Sequence, residues 1–376
     1  MKFLPGNFIC CRVLLLKKLL NFRTDLMDSA IEIKNVWKIF GNNSEEALNA
    51  IQNNRISKQE ALEKYNSVIG VSDVSFDVKK GEIFCVMGLS GSGKSTLVRH
   101  INRLLEPTSG QILINNEDVM KFDPKSLQDL RNKKIGMVFQ NFALMPHRSV
   151  LDNIAMPLEI RGISKNDRLD VANKILDIVE LQGWGNKFAH ELSGGMQQRV
   201  GLARALAADP DVLLMDEPFS ALDPLIRRQL QAEFIKLSKQ MKKTTVFITH
   251  DLDEAVRVGH RIAIMRDGKV IQIGTPEEIV MKPADDYVAD FVKGISRLKI
   301  VQAKSIMQPV EKFEKEFGLI SKNLESVHEN DLLNKLIEKS SIKDEPILVI
   351  NNENKNIGII TQADLLKAVV EGSDGE

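Results

Sequence analysis

The stretch Gly88-Leu89-Ser90-Gly91-Ser92-Gly93-Lys94-Ser95-Thr96 decides the fold of this chain. It fits the phosphate-loop pattern G-x-x-x-x-G-K-[ST]. The apolar run Ile83–Met87 before it is typical of a buried strand, and apolar residues at helical spacing follow over 95–105. A strand, a glycine loop and a helix in this order aim backbone N–H groups and a helix N-terminus at one anion. The stretch therefore predicts a nucleotide-binding α/β domain; the alternative is a Gly/Ser-rich turn without a ligand.

Every residue of this loop is a candidate nucleotide contact. We expect the Lys94 ammonium to reach the β- and γ-phosphates and the Ser95 hydroxyl to hold Mg²⁺. The candidate contacts are Gly88, Leu89, Ser90, Gly91, Ser92, Gly93, Lys94, Ser95 and Thr96.

The bulk composition excludes several classes of protein. The chain has 376 residues, and its 51 Lys+Arg residues balance 51 Asp+Glu, which argues against a nucleic-acid surface. Its cysteines, Cys10, Cys11 and Cys85, lack metal-ligand spacing and indicate free thiols in a reducing cytoplasm. No apolar stretch approaches the roughly 18 residues of a membrane span. We therefore expect a protein that does not itself cross a bilayer.

Residues 1–27 form an N-terminal extension ahead of the predicted α/β domain. Its apolar part is interrupted by Arg12, Lys17 and Lys18 and lacks a continuous signal-peptide core. A basic amphipathic membrane-surface segment is one interpretation. The interpretation that we favour is an over-long start, with translation beginning at Met27.

The remaining pattern alternates strands and helices, which predicts a largely parallel P-loop α/β core. A helical insert at 42–68 has a capping box at Ser57 and Glu60, and Thr275 begins another helix. A helical subdomain is expected over about 141–200. The predicted strands are 31–36, 71–79, 111–119 with a turn at Asn115-Asn116, 211–216 and 244–249, with a hairpin over 262–273.

Two carboxylates follow the apolar run Val212–Met215. A parallel strand there would bring Asp216 and Glu217 to the sheet edge that carries the phosphate loop. Asp216 would support Mg²⁺ through water, and Glu217 would act as general base on the water that attacks the γ-phosphate. Acids often end strands, so this pair is specific only together with the loop.

A second candidate anion site precedes the helical run 200–207. Ser193, Gly194 and Gly195 offer a hydroxyl and open backbone N–H groups at a helix start. The alternative is a plain serine-capped helix.

At this point the chain resembles the ATP-binding subunits of ABC transporters, whose signature is LSGGQ. Here Met196 takes the fifth position and Gln197 follows, a variant found in importers. The resemblance covers roughly 30–295. It implies a head-to-tail dimer in which Ser193, Gly194 and Gly195 of one subunit cover the γ-phosphate held at Lys94 of the other, and it extends the nucleotide contacts to Gln197.

The resemblance carries over to four further positions. Gln140 matches the loop that senses Mg²⁺ and the transmembrane partner, and Asp223 ends the loop that crosses the dimer interface. His250 matches the switch histidine, and Phe40 matches the aromatic that stacks on adenine, with Trp37 less suited by position. Alone, each could be structural: a strand-end amide, a helix cap or a core aromatic. The implied catalytic residues are Lys94, Gln140, Glu217 and His250; the implied Mg²⁺ residues are Ser95, Gln140 and Asp216.

A closer resemblance is to ATPase subunits of glycine betaine/proline uptake systems. It rests on the insert at 42–68, on 142–147 and on 220–226. It implies a homodimer at the cytoplasmic face of the cell membrane, with permease subunits, an external solute-binding protein and no nucleic acid. The alternatives are an importer of another solute such as an amino acid, a soluble non-transport ABC ATPase, and a non-catalytic ATP-binding regulator, which Glu217 and His250 argue against.

Residues 303–370 form a small α+β unit after an ATPase domain that we place at 28–296. The strand 346–350 and the run containing Thr361 and Asp364 resemble one cystathionine-β-synthase (CBS) motif. In that family these two positions can contact a ribose, and the module senses ionic strength or a nucleotide. Such motifs normally occur in pairs. Either each subunit of a dimer supplies one copy, or the unit is a dimerisation tail.

Overall fold

A computed structural model of the chain describes residues 29–54, 56–317, 324–341 and 345–370. The 1–27 extension, with both of its interpretations, lies outside the described residues. The described residues divide into two compact units. The first runs to Glu254 and adds Val258–Ile271; the second contains Ala255–Arg257 and begins again at Gln272. The family-based division at about 296 to 303 stays a prediction.

The strands of the described residues in chain order are β1 (Ser29–Phe40), β2 (Val68–Lys79), β3 (Ile83–Met87), β4 (Ser109–Ile114), β5 (Glu117–Asp118), β6 (Ile135–Val138), β7 (Val212–Asp216), β8 (Thr244–Thr249), β9 (Arg261–Arg266), β10 (Lys269–Gly274), β11 (Gln308–Pro309), β12 (Ser326–His328), β13 (Ile347–Ile350) and β14 (Asn356–Ile360).

The helices, without three short 3-10 turns, are α1 (Ser44–Asn54), α2 (Lys58–Tyr65), α3 (Lys94–Ile101), α4 (Pro124–Lys133), α5 (Val150–Ile160), α6 (Lys165–Ile178), α7 (Gly194–Ala207), α8 (Pro224–Met241), α9 (Leu252–Val258), α10 (Pro276–Met281), α11 (Asp286–Val292), α12 (Ala303–Ile306), α13 (Val310–Phe317), α14 (Leu333–Ser340) and α15 (Gln362–Val370). Among the residues described, no helix is long and apolar enough to span a membrane.

The core of the first unit is a six-stranded sheet in the order β10-β9-β3-β8-β7-β6. The neighbours from β9 to β6 pair in parallel, which confirms the predicted parallel core. Strands β3, β7 and β8 are buried along their whole length. Because these strands run in the same direction, their carboxyl ends meet at one sheet edge. The phosphate loop, the acidic pair and His250 all follow those ends.

A second sheet of the same unit has the order β2-β1-β4-β5 and is antiparallel. The strand predicted at 31–36 is longer, since β1 pairs with β2 from Ser29 to Phe40. The helix predicted over 95–105 is shorter and ends at Ile101. Arg103 has φ +52°, a left-handed conformation that an α-helix cannot continue through.

The insert after β1 is helical, as the sequence predicts. Helix α2 begins with the expected capping box, in which Ser57 and Glu60 exchange hydrogen bonds. The insert packs on a cluster that includes Trp37, whose side chain is buried. The indole is therefore a core group of this unit.

The helical subdomain consists of α5, α6 and α7, which share one apolar cluster. Each helix begins at a serine whose hydroxyl accepts a backbone hydrogen bond: Ser149, Ser164 and Ser193. The predicted onset at 141 is too early, because Phe142 and Ala143 have φ of +57° and +50° and the first helix begins at Val150.

The second unit contains the predicted capped helix, since Thr275 caps α10 and exchanges hydrogen bonds with Glu278. Its sheet has the order β11-β14-β13-β12 and shares an apolar cluster with α14 and α15. This is the α+β layout that we expect for the C-terminal residues. The likeness to a CBS motif stays a prediction.

Buried His100, near the end of α3, makes the stability of the first unit depend on pH. Its Nδ1 lies 2.6 Å from the Leu105 carbonyl oxygen, and burial lowers the pKa of the imidazole to about 4. The unfolded chain, with a pKa of 6.5, binds more protons between these values, so stability falls as pH drops from about 6.5 towards 4. By pH 5 the imidazole removes about 2 kcal/mol from the free energy of unfolding.

Urea unfolding of the wild type and of His100→Gln, at pH 7.5 and pH 5, measures this difference. We expect the variant to lose about 2 kcal/mol less than the wild type between the two pH values. Exposed His147→Gln is the matched control and should behave as the wild type does. Equal losses in all three proteins would contradict the assignment.

Candidate nucleotide-binding site

The phosphate loop connects β3 to α3 and is shaped by its glycines. Gly93 has φ +100°, and a Cβ there would overlap the carbonyl oxygen of Gly70. Gly91 has φ +80°, and a Cβ there would meet nothing within 4 Å. One glycine thus permits close packing against the neighbouring strand, while the other faces open space on the ligand side. This is a cradle of the kind that a polyphosphate fills.

Lys94 is buried and lies over its own loop. Its Nζ donates to the carbonyl oxygens of Gly88, at 2.8 Å, and Leu89, at 3.0 Å. Burial lowers the pKa of Lys94, and the nearby carboxylates of Glu217 and Asp216 oppose this shift. The ammonium is therefore held where a phosphate oxygen can replace the weaker carbonyl acceptors.

Ser95 and Asp216 form the second contact of the site. The Ser95 hydroxyl donates to Asp216 Oδ1 over 2.8 Å. Arg99, one turn further along α3, places its guanidinium 3.6 Å from Asp216 Oδ2. The sequence analysis did not single out Arg99; its spacing of one helical turn from Ser95 was the available signal.

Glu217 is the point where three predicted site residues meet. Its carboxylate accepts a long hydrogen bond of 3.4 Å from Gln140 Nε2 and lies 3.2 Å from His250 Nδ1. Since a carboxylate only accepts, Nδ1 of His250 carries the proton in this bond. Glu217 itself has φ +46°, a strained conformation that costs about 1–3 kcal/mol and is typical of functional positions.

Phe40 and the phosphate loop both pack against Gly70. Its ring packs so closely on Gly70 that a Cβ there would lie 2.6 Å from the ring, and the Gly70 carbonyl also contacts Gly93. Lys38 Nζ lies 5.1 Å from the ring centroid, and 40% of Phe40 is exposed. An aromatic face thus borders the cradle, whereas Trp37 is buried. No sequence pattern pointed to Gly70.

The Ser193 loop lies at the start of α7, and its hydrogen bonds stay within that helix start. Ser193 Oγ accepts from the Met196 N–H at 3.4 Å, and Gln197 Nε2 donates to the carbonyl oxygens of Ala189 and Leu192. Gly195 has no room for a side chain, because a Cβ would lie 2.7 Å from Ile226 Cγ2. The hydrogen bonds of Lys94 likewise stay within its own loop, so the structure does not join these two predicted anion sites in one chain.

Asp223 caps α8 by accepting from the Ile226 N–H at 3.1 Å. The loop before it is tied to the general-base candidate, since the Ser220 hydroxyl donates to the Glu217 carbonyl oxygen at 3.0 Å. Arg227 donates to the carbonyl oxygen of Leu222 at 3.1 Å. The loop 220–223 is therefore rigidly attached to the residue after β7.

Arg204 is a site residue that sequence reasoning missed. Its guanidinium donates to the carbonyl oxygens of Ala143, at 2.5 Å, and Phe142, at 2.9 Å, which follow Gln140 with left-handed backbones. Burial lowers the pKa of Arg204. An arginine inside the otherwise apolar run 200–207 was the available signal. Arg204 holds the glutamine loop against α7.

Comparison with known proteins decides the family. A model of the ABC transporter family matches residues 71–220. The ATP-binding protein ProV of the glycine betaine/proline betaine transport system of Salmonella typhimurium is 48% identical over 347 residues, which cover 92% of this chain and 84% of that protein. The chain belongs to the ATP-binding subunits of ABC transporters.

Two further relatives of this ABC ATPase align with different fractions of its length. The ATP-binding protein TmoW of the trimethylamine N-oxide transport system of Pelagibacter ubique is 42% identical over 92% of this chain and 98% of its own. A solved ATP-binding cassette, a dimer in a post-hydrolysis state with ADP and Pi, is 33% identical with a TM-score of 0.55. It covers 65% of this chain and 98% of its own.

Family membership assigns the nucleotide and the reaction. As an ABC ATPase, the chain binds ATP and couples its hydrolysis to transport. The cradle between β3 and α3, with the Lys94 ammonium hydrogen-bonded to its carbonyl oxygens, is the part of the structure that fits a triphosphate. The roles of the individual side chains in ATP binding and hydrolysis are proposals.

Proposed function

We propose that this chain is the ATP-hydrolysing subunit of an importer for glycine betaine, proline betaine or related quaternary-amine solutes. The 48% identity to a betaine-system protein, across 92% of this chain, carries the proposal. The trimethylamine N-oxide relative supports the same chemical class, since both solutes are small molecules with a fully substituted nitrogen. An importer of an amino acid is the second candidate, because the residues of the ATP site do not determine which solute is carried.

Four residues are proposed to carry the hydrolysis. Lys94 binds the β- and γ-phosphates, and Glu217 takes a proton from the attacking water. Gln140 and His250 hold the Glu217 carboxylate from two sides, at 3.4 and 3.2 Å. Binding of ATP releases His250 towards the γ-phosphate, where its N–H stabilises the developing negative charge.

The oxygen groups beside the phosphate loop fit Mg²⁺. The Ser95 hydroxyl and the Asp216 carboxylate lie 2.8 Å apart, and Gln140 offers an amide oxygen nearby on the loop after β6. Such donors, together with phosphate oxygens, are those that Mg²⁺ prefers. Ser95, Asp216 and Gln140 would hold this ion, which would supply positive charge to offset the negative charge of the phosphates. Asp216 would act through water, since Ser95 and Arg99 already occupy its oxygens.

The partners are proposed to be a second copy of this chain, two permease subunits and an external solute-binding protein. The dimeric cassette that resembles this chain supports the homodimer. A cleft of about 340 Å³, lined by Leu104, Met145 and Ile160, adjoins the glutamine loop and is suited to an apolar segment of a permease. The subunit would then lie peripherally at the cytoplasmic face of the cell membrane, with no nucleic-acid partner.

Transport assays test the solute class. The chain is expressed with the permease and receptor genes encoded beside it, in cells that lack betaine uptake, and labelled glycine betaine, proline and histidine are compared. We expect saturable uptake of glycine betaine that disappears in Glu217→Gln. Histidine uptake without betaine uptake would favour the amino-acid importer instead.

Phe40 is proposed to stack on adenine, and its removal gives a separate prediction. Stacking of a base on an aromatic ring is worth about 1–3 kcal/mol, so Phe40→Ala should weaken ATP binding about 5- to 150-fold. Titration with a fluorescent ATP analogue measures the change. Phe40→Tyr should bind normally, and Leu62→Ala, which removes another exposed apolar side chain, serves as control. Unchanged affinity in Phe40→Ala would refute the stacking role.

The C-terminal unit is proposed to be a single CBS-like motif over 303–370 that senses ionic strength or a nucleotide. Asp364 accepts from the Thr361 N–H and hydroxyl, at 2.9 and 2.7 Å, and from Gln308 at 3.0 Å. A ribose would have to displace Gln308 to reach this carboxylate. Uptake in Gln308→Ala and Asp364→Ala, measured against salt concentration, tests the sensor: an unchanged salt response in both variants would leave the unit as a dimerisation tail.

A further inference from the structure

Arg227, near the start of α8, joins two loops that carry candidate site residues. Its Nη2 donates to the carbonyl oxygens of Ser220 and Leu222, at 3.4 and 3.1 Å, in the loop after β7. Its Nη1 lies 3.6 Å from Asp251 Oδ2, in the segment after β8. Asp251 directly follows His250 in the chain. One guanidinium therefore ties the loop after β7 to the neighbour of His250.

Both ends of this tie lead to Glu217. The Ser220 hydroxyl donates to the Glu217 carbonyl oxygen at 3.0 Å, and the His250 Nδ1 lies 3.2 Å from the Glu217 carboxylate. The contacts therefore close into a ring whose members are Glu217, Ser220, Arg227, Asp251 and His250. Because the position of each member of a closed ring depends on the others, Arg227 supports the placement of the two groups at the candidate site.

A second contact between α8 and the segment after β8 lies one helical turn further on. Gln231 is four residues after Arg227, and its Nε2 donates to Glu254 Oε1 over 2.8 Å. The side chains of Gln231 and Glu254 are buried. The Glu254 N–H donates to Asp251 Oδ1 at 3.2 Å. Residues i and i+4 of α8 thus face this segment, and both carboxylate oxygens of Asp251 have a partner.

The stability that Arg227 contributes does not explain its arrangement. Its Nε is buried and has no hydrogen-bond partner among the described residues, which is destabilising. Its ion pair with Asp251 joins side chains that are 26% and 36% exposed, and partly exposed pairs contribute little to stability. The arrangement is better explained by the positions that the guanidinium fixes.

We propose that Arg227 is a positioning residue for ATP hydrolysis. Through Asp251 it holds the backbone at His250 in place, so that the imidazole reaches Glu217 and, with ATP bound, the γ-phosphate. This inference rests on the roles proposed above for Glu217 and His250. Arg227 is not among the residues assigned to ATP or Mg²⁺, so its removal should slow turnover and leave ATP affinity unchanged.

Arg227→Ala should lower kcat about 10- to 100-fold, because a displacement of about 1 Å at a site can cost about 10²-fold in rate. Asp251→Asn keeps an acceptor for the Glu254 N–H and removes the charge that faces Arg227, so it should lower kcat in the same way with less disturbance of the fold. Phosphate release at saturating ATP and titration with a fluorescent ATP analogue measure the two quantities. Arg228→Ala, which removes the adjacent exposed arginine, is the matched control and should hydrolyse ATP normally.

The His250→Ala background separates positioning from a general structural effect. If Arg227 acts through His250, Arg227→Ala and Asp251→Asn should lower kcat no further in a protein that already carries His250→Ala. A normal kcat in Asp251→Asn, weaker ATP binding with normal kcat in Arg227→Ala, or an equal fold-loss with and without His250 would each overturn the inference. A normal kcat in His250→Ala would instead refute the proposed role of His250, and the inference would fall with it.

Discussion

Replacing Glu217 by Gln is expected to lower the rate of ATP hydrolysis by about 10²- to 10⁴-fold while ATP still binds. A glutamine amide has nearly the shape of the carboxylate but cannot accept the proton of the attacking water. The residues that hold the nucleotide, Lys94 and Ser95, lie on α3 and do not change. The left-handed backbone at position 217 is equally accessible to both residue types, so the fold is expected to persist.

Steady-state phosphate release and ATP affinity, measured on the same preparations, check this prediction. Glu46→Gln, an exposed glutamate on α1, is the matched control and should hydrolyse ATP normally. His250→Ala removes one of the two contacts to the Glu217 carboxylate and should also reduce turnover. Normal hydrolysis in Glu217→Gln would show that another group activates the water, and Glu217 would then lose its assigned role.

Much of the core was predictable because its signals are local. The phosphate loop, the strand Val212–Asp216 and the hairpin at Asp267-Gly268 each lie within a short stretch of chain. The turn residues of that hairpin have φ of +53° and +79°, as a two-residue connection requires. Where an apolar strand is followed directly by a polar loop, the sequence predicts the strand. It also predicts the edge of the sheet at which the loop residues lie.

Other features depend on partners far away in the chain and could not be read locally. Gly70 contacts both Phe40 and the phosphate loop, and Arg204 secures the loop after Gln140 from a different helix. The early end of α3 follows from the left-handed Arg103, whose guanidinium donates to the carbonyl oxygens of Val119 and Phe122. In each case the interaction that determines the local structure is tertiary. The secondary-structure propensity of the neighbouring residues does not indicate it.

A head-to-tail homodimer with a composite ATP site, as the family resemblance implies, predicts which pairs of damaged subunits restore activity. Lys94→Ala removes the phosphate-binding ammonium, and Ser193→Arg places a bulky group at the second anion site. Each homodimer should hydrolyse ATP at least about 100-fold more slowly than the wild type. If the two loops meet only across the dimer, a heterodimer with one substitution in each chain keeps one intact site and retains up to about half of the turnover.

The reverse pairing of variants distinguishes an ATP site shared between two subunits from a site contained within one subunit. A heterodimer of wild type and the Lys94→Ala/Ser193→Arg double variant has no intact site across the dimer, but it would keep one within a chain. Heterodimers isolated from the assembled transporter with two different affinity tags allow both rates to be measured. Ser164→Arg, which alters the equivalent cap of α6, controls for the loss of a helix cap. Within the described residues, the Lys94 ammonium donates only within the phosphate loop, and the side-chain hydrogen bonds of Ser193 and Gln197 end within 189–196. We therefore expect activity in the first pairing and none in the second; the opposite order would place the complete site in one subunit.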